Sequence, residues 1–182
     1  MQTILISINP EWCELIANGE KTIEVRKTRP IISPPFRSVI YCTKKFKPNV
    51  KYSYKTWAGR GKVIGEFVCD RIKRFMPDNE DYSIYDIDDD LLTQTCLTHD
   101  DLSKYGNGKP LYGWGIARLK VYGNPKELSE FCFSPELYCE KERCGGCPYD
   151  QVPNEYGEYS FDCEWKRPIT RPPMSWCYAE GD

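Results

Sequence analysis

The stretch Gly19-Glu20-Lys21-Thr22-Ile23-Glu24-Val25-Arg26-Lys27 decides how the chain is read. Ile23 and Val25 alternate with Thr22, Glu24 and Arg26, the period of a strand buried on one face, so the opposite face carries an acid and a base two residues apart. Strict alternation sets Lys21 on the side of Ile23 and Val25, but a turn at Gly19-Glu20 that delays strand onset frees it from that parity. On spacing alone, Glu24 and Arg26 pair with neighbouring strands and have no further role.

Upstream, Ile4, Ile6 and Ile8 alternate with Leu5 and Ser7 in a short apolar strand that stops at Pro10. A helix follows, with Pro10 at its first position, Trp12, Leu15 and Ile16 as its apolar stripe and Asn18-Gly19 as its stop. Downstream of a proline-rich loop at 29–35, strands are expected over 38–43, over 61–69 with a bent continuation to Phe75, over 111–122 and over 174–178. Two short helices are expected at 89–96 and 98–105, the second opened by Thr98 as N-cap with Asp101 three residues on. Strands of uneven length with one early and two late helices do not alternate as βαβ units. The expected class is α+β, a small, mostly antiparallel barrel with a few short helices.

The 182 residues fit one domain with a small appendage. Charged residues make up 29%, with 25 Lys+Arg against 27 Asp+Glu, a balance that excludes a globally basic nucleic-acid coat. The charge is nonetheless polarised. Lys44, Lys45, Lys47, Lys51, Lys55, Arg60 and Lys62 are interleaved with Tyr52, Tyr54 and Trp57, while acids pool from Asp78 to Asp90 and at Asp100-Asp101. A solvated face and a local phosphate-binding patch both fit such runs. The N-terminal stretch has neither a basic region nor a long apolar run, so a cytoplasmic, non-membrane protein is expected.

Four of the ten cysteines are scattered among apolar residues and the other six lie between Cys132 and Cys177. Cys139, Cys144, Cys147 and Cys163 offer four thiolates in a turn-rich segment with Cys-Gly-Gly-Cys as a knuckle, the donor set of structural zinc. Cys132 and Cys177 stand as reserve ligands. A redox pair lacks its usual βαβ setting, disulfides are disfavoured in a reducing compartment, and an iron-sulfur cluster is a minor alternative on the same ligands. The expected division is a barrel over 1–131, a Cys-rich zinc-binding insertion over 132–170 and a closing strand over 171–182.

Ser7-Ile8-Asn9-Pro10, the short helix, and then Gly19, Lys21 and Arg26 in a Gly-x-Lys-x-x-x-x-Arg pattern resemble the ASCH domain of the PUA-like superfamily. Stretches at 61–69, 111–114, 125–131 and 171–178 resemble a subgroup found in Firmicutes and their phages. The resemblance implies a PUA-like β-barrel whose cleft, beside the lysine-bearing strand, binds RNA or a modified nucleotide. Lys21, Glu24 and Arg26 would contact the ligand, and Trp57 or Trp114, with Tyr41 and Trp176 as alternatives, would stack a base. Some members are amidohydrolases that deacylate N4-acetylcytidine with a Lys, a Thr and a Glu. The lysine corresponds to Lys21, but Glu24 stands at the threonine position and no acid stands near Gln94 to Cys96, so an enzyme of this kind would rely on Lys21 and Glu24. A non-catalytic phage or host interaction module is a third reading. His99 reads as a solvated or capping residue, and Gly115 stands where related sequences carry histidine.

Overall fold

The structure is a computed structural model that describes residues 1–45, 52–53, 58–78, 84–133 and 168–181. Its order is β1 Thr3–Ile8, α1 Pro10–Ala17, β2 Ile23–Arg26, β3 Phe36–Cys42, β4 Val63–Phe75, α2 Asp89–Thr95, α3 His99–Gly106 and β5 Leu111–Lys126. A 3-10 turn at Leu128–Glu130, β6 Cys132–Phe133 and β7 Trp176–Glu180 complete it. One seven-stranded sheet runs β2-β5-β4-β3-β1-β7-β6.

Two parts of the expected architecture change. Among the described residues β2 and β6 are edges, so no ladder closes the sheet into a barrel. The sheet is also mixed, because β1 and β3 run parallel, Ile4 opposite Ser38 and Ile6 opposite Ile40. The remaining pairings are antiparallel. The parallel pair follows from connectivity: α1 and β2 intervene between β1 and β3, which supplies the long crossover a parallel partner requires.

The open sheet still curls around its core. The antiparallel β4–β5 pair changes register between Val63 and Gly65, Glu66 and Val68, and Cys69 and Ile72, and each irregularity adds local bend and twist. Trp114 of β5 therefore meets Phe36 of β3 edge-on, with ring centroids 5.5 Å apart, and reaches Trp176 of β7 at 6.0 Å. Inside the curl, Ile4, Ile6 and Ile8 pack with Cys13 and Ile16 of α1, Ile40, Phe67 and Trp114. Leu5 points the other way, into a cluster with Val39, Phe131 and Ile169, so β1 is buried on both faces. A third cluster joins Ile23 and Val25 to Phe75, Leu91, Leu102 and Leu111, seating β2 against the two late helices.

These helices carry the expected end signals. Asp88 accepts from the Leu91 amide at the start of α2, and Thr98 and Asp101 form a reciprocal capping box on α3. Pro10 opens α1, and Gly19 takes φ +77°, where a side chain would be strained. β3 begins at Phe36, two residues before the expected start, because Phe36 is buried opposite Cys69. No helix among the described residues is long and apolar enough to cross a membrane.

Candidate functional site

The Lys21–Arg26 segment leaves α1 through the Gly19 turn, which delays the strand until Ile23. This frees Lys21 from β alternation. The turn is fixed by the Glu20 and Lys21 amides, which both donate to the Leu15 carbonyl, and by the Thr22 amide, which donates to the Gln94 carbonyl of α2. Ile23 and Val25 then enter the core beneath the helices, and Glu24 and Arg26 face the opposite side.

Lys21, Glu24 and Arg26 come together on the wall of a cleft of about 610 Å³, with residue exposures of only 2%, 5% and 7%. The other walls are the end of β1 with the start of α1 (Ser7, Asn9, Trp12), Thr43 and Lys45 beyond β3, Asp101 and Tyr105 of α3, and Pro172 to Met174. The Lys21 ammonium donates to the Thr95 carbonyl at 2.5 Å, lies 3.5 Å from Glu24 Oε2 and sits 5.1 Å from the Trp12 ring centre. Thr95 ends α2, and Cys96 behind it turns into the left-handed region, so a helix-terminal carbonyl is left for the lysine. Burial lowers the Lys21 pKa, and the nearby Glu24 carboxylate only partly offsets that effect.

Arg26 donates through Nη2 to the Ser7 carbonyl, tying the edge strand β2 across the curl to the end of β1. Its Nε lies 3.3 Å from Glu24 Oε1, within ion-pair range, yet that N–H meets no acceptor in hydrogen-bond geometry among the described residues. Tyr105 stands beside Arg26. Burial raises its phenol pKa, with Arg26 opposing, and the Lys27 ammonium lies 4.8 Å from its ring centre.

The expected stacking residues fare differently. Trp114 is fully buried between Phe36 and Trp176 and is no part of the cleft. Burying its large apolar ring in the curl outweighs leaving Nε1 without a partner among the described residues. Tyr41 is buried on the far face of the sheet, and Trp176 packs on Tyr178 and donates to Thr28. Trp57 lies outside the described residues, as do Cys139, Cys144, Cys147 and Cys163. Among the described residues, the aromatic rings that line the cleft are Trp12 and Tyr105. Sequence reading placed Trp12 in a core stripe and did not weigh Tyr105. The available signal was the spacing of Asp101 and Tyr105, four apart on one helical face.

Asp101 also lines the cleft while capping α3, a second carboxylate on its wall that the sequence reading treated only as a cap. His99 is exposed at the start of α3. Gly115 lies against Asp70 and Arg71, outside the cleft. Among the described residues no group of three or more His, Cys, Asp or Glu side chains is placed to hold a metal.

A curled α+β sheet with a buried Lys-Glu-Arg group at the mouth of one edge strand defines the class of protein. No family model and no curated protein sequence matches the chain. Its backbone does match solved structures. The crystal structure of ASCH from Zymomonas mobilis is similar with a TM-score of 0.52 and 16% identity, over 97% of this chain and 86% of that one. A serine-to-alanine point mutant of the same Zymomonas mobilis protein gives 0.51 at 16% identity, over 97% and 87%. The chain therefore shares the fold of the Zymomonas mobilis ASCH structure.

Proposed function

We propose that the cleft binds RNA or a modified nucleotide, with Lys21 and Arg26 facing phosphate or carbonyl oxygens, Glu24 accepting from a base edge, and Trp12 and Tyr105 supplying stacking faces. The observation that carries this reading is the Arg26 Nε–H, a buried donor that meets no acceptor in hydrogen-bond geometry among the described residues, on the wall of a nucleotide-sized cleft. A group this buried is costly to leave unsatisfied, and an anionic or carbonyl ligand satisfies it. The setting is a cytoplasmic protein with the Cys-rich segment 132–170 clipped by zinc through Cys139, Cys144, Cys147 and Cys163. Titration with modified nucleosides and short single-stranded RNA, followed by tryptophan fluorescence, tests the assignment. The parent binds and quenches, and Lys21→Ala, Arg26→Ala does neither; a double variant that binds as the parent does removes these residues from the site.

The lowered pKa of Lys21 favours a second reading, hydrolysis of an N4-acylcytidine-type amide, because an amine that loses its proton more readily can act as base or nucleophile beside Glu24. Incubation with N4-acetylcytidine separates the readings. Cytidine released by the parent and not by Lys21→Ala supports hydrolysis, whereas binding without product leaves the binding reading standing alone.

A further inference from the structure

β2 is an edge strand, and the parity of its ladder decides which of its backbone groups β5 uses. The Ile116 amide donates to the Thr22 carbonyl at 2.9 Å, and these two residues continue the register in which Glu24 lies opposite Trp114 and Arg26 opposite Tyr112. In an antiparallel pair, hydrogen-bonded and non-hydrogen-bonded positions alternate. Glu24 and Arg26 therefore bond to β5, whereas the N–H and C=O groups of Ile23 and Val25 point the other way, to the open edge.

The positions on either side of Val25 along that edge are covered. Before it stands the end of α2. The Thr22 amide donates to the Gln94 carbonyl at 3.0 Å, the Lys21 ammonium donates to the Thr95 carbonyl at 2.5 Å, and Ile23 is buried and lines no part of the cleft. After it, the Lys27 backbone, next in the same parity, faces the Tyr105 hydroxyl. Val25 lies between them on the cleft wall, its side chain in the cluster of Leu91 and Leu102. Neither its N–H nor its C=O meets a partner among the described residues. Buried backbone groups are rarely left so, and these two stand side by side, a donor next to an acceptor.

One open residue is too short a seat for an added peptide strand, which repeats its backbone pairs at every second residue. It does match a flat heterocycle, whose Watson–Crick edge sets an N–H donor beside a ring-nitrogen or carbonyl acceptor. Trp12, near Lys21 at one end of the segment, and Tyr105, near Lys27 at the other, line the same cleft and supply faces for a planar ring.

We infer that the Val25 backbone reads the base: its N–H donates to, and its C=O accepts from, the Watson–Crick edge of a nucleobase, so the ligand is a base unsubstituted at that edge, with any modification elsewhere on the ring. The inference rests on the nucleotide-binding reading of the cleft.

The test titrates the four ribonucleoside 5′-monophosphates and short homopolymeric single-stranded RNAs. For each base that binds, two further ligands are compared, one methylated on the Watson–Crick nitrogen (N1 of a purine, N3 of a pyrimidine) and one methylated away from it (C8 or C5). Methylation on the edge weakens binding about ten- to a hundredfold, the discrimination a two-bond base contact supplies, and methylation off the edge leaves it at the parent value. Protein labelled with 15N-valine reports the same contact by amide hydrogen exchange. With ligand at about 100 times Kd, exchange of the Val25 amide slows about a hundredfold, while Val39 and Val68 in other strands keep their rates. Val25→Pro deletes the outward N–H and leaves the β5 bonds of Glu24 and Arg26, an edge position at which proline is tolerated, and it binds ten- to a hundredfold more weakly; Val25→Ala keeps the N–H and binds as the parent does. Should Val25→Pro not fold, the methylated ligands and the exchange rates decide. If nucleotides or RNA bind but edge methylation and Val25 exchange show no effect, the edge contact is wrong and the cleft assignment stands. If neither nucleotides nor RNA bind, or if an extended peptide and no nucleotide slows Val25 exchange, both fall.

Discussion

Glu24 is the single anion between two buried cations, and its neutralisation tests whether the group is held together by charge. Lys21 Nζ lies 3.5 Å from it and Arg26 Nε 3.3 Å, separations at which each attraction is about 5 kcal/mol gross at an effective dielectric constant near 20. Net values are smaller, because burying the ions opposes them. Glu24→Gln keeps the shape and leaves two positive charges facing each other at 2% and 7% exposure. Breaking a buried pair by removing one partner costs about 3–5 kcal/mol. At roughly 2–4 °C per kcal/mol for a chain of this size, the melting temperature falls by about 6–20 °C. Lys21→Met removes a cation and leaves Glu24 and Arg26 matched. Its cost is the lost hydrogen bond to Thr95, about 1–2 kcal/mol, reduced by no longer burying an ammonium group.

The double variant Lys21→Met, Glu24→Gln is therefore more stable than Glu24→Gln alone, although it carries one more substitution. A pH signature accompanies it. The folded-state pKa of Lys21 is already below its unfolded value of about 10.4, so the unfolded chain holds more protons in the window beneath that value and stability rises with pH there. Without Glu24 the lysine gives up its proton still more readily, and the Glu24→Gln deficit narrows between neutral pH and about pH 10. Thermal unfolding by circular dichroism across that range measures all of this. A Glu24→Gln protein that melts with the parent, or a double variant less stable than Glu24→Gln, refutes the charge argument.

Three other outcomes are expected. If Cys139, Cys144, Cys147 and Cys163 hold zinc, the purified chain carries about one equivalent that disappears in Cys144→Ser, Cys147→Ser, and metal-free folded protein sinks the assignment. In alkylation at pH 8 followed by peptide mass spectrometry, Cys69 and Cys177, whose pKa values burial raises to about 12, stay unmodified until the protein unfolds, and labelling at the native rate of an exposed thiol contradicts their burial. Gly106→Ala drives a methyl carbon into the Tyr85 hydroxyl, which is hydrogen-bonded to the Lys109 carbonyl, so stability drops by about 1–3 kcal/mol in urea unfolding, and an unchanged midpoint contradicts the packing.

The elements were legible where local chemistry fixes them. Pro10 and the Gly19 turn bound α1, Thr98 with Asp101 starts α3, and the alternation of Ile23 and Val25 marks β2. The delayed strand start that lets Lys21 join Glu24 was legible too, because Gly19-Glu20 is a turn signal. What sequence could not supply was pairing over long separations. Nothing local to Phe36, Trp114 or Trp176 says that strands from three parts of the chain bring these rings together, and this non-local contact moves Trp114 from candidate ligand-stacker to core. Closure was misjudged for the same reason: whether the two edges of a sheet, here β2 and β6, meet depends on the curl of the whole sheet.

The open edge bears on the site. β2 pairs with β5 on one side and has no strand on the other among the described residues, and β1 is already paired with β3 and β7. The link from β2 to the end of β1 is made by a side chain, Arg26 to the Ser7 carbonyl, on the wall of the cleft. Arg26 consequently has two functions that oppose each other. Its Nη2 ties β2 to the end of β1, which demands a fixed guanidinium, and the same rigidity keeps Nε–H out of hydrogen-bond geometry with any acceptor among the described residues, Glu24 Oε1 at 3.3 Å included. A lysine there would make the strand contact with a rotatable ammonium and lose the aimed second donor. Arg26→Lys is therefore expected to fold and to bind poorly, separating the structural task of this residue from its recognition task. A variant that binds at parent strength would show that the second donor is idle.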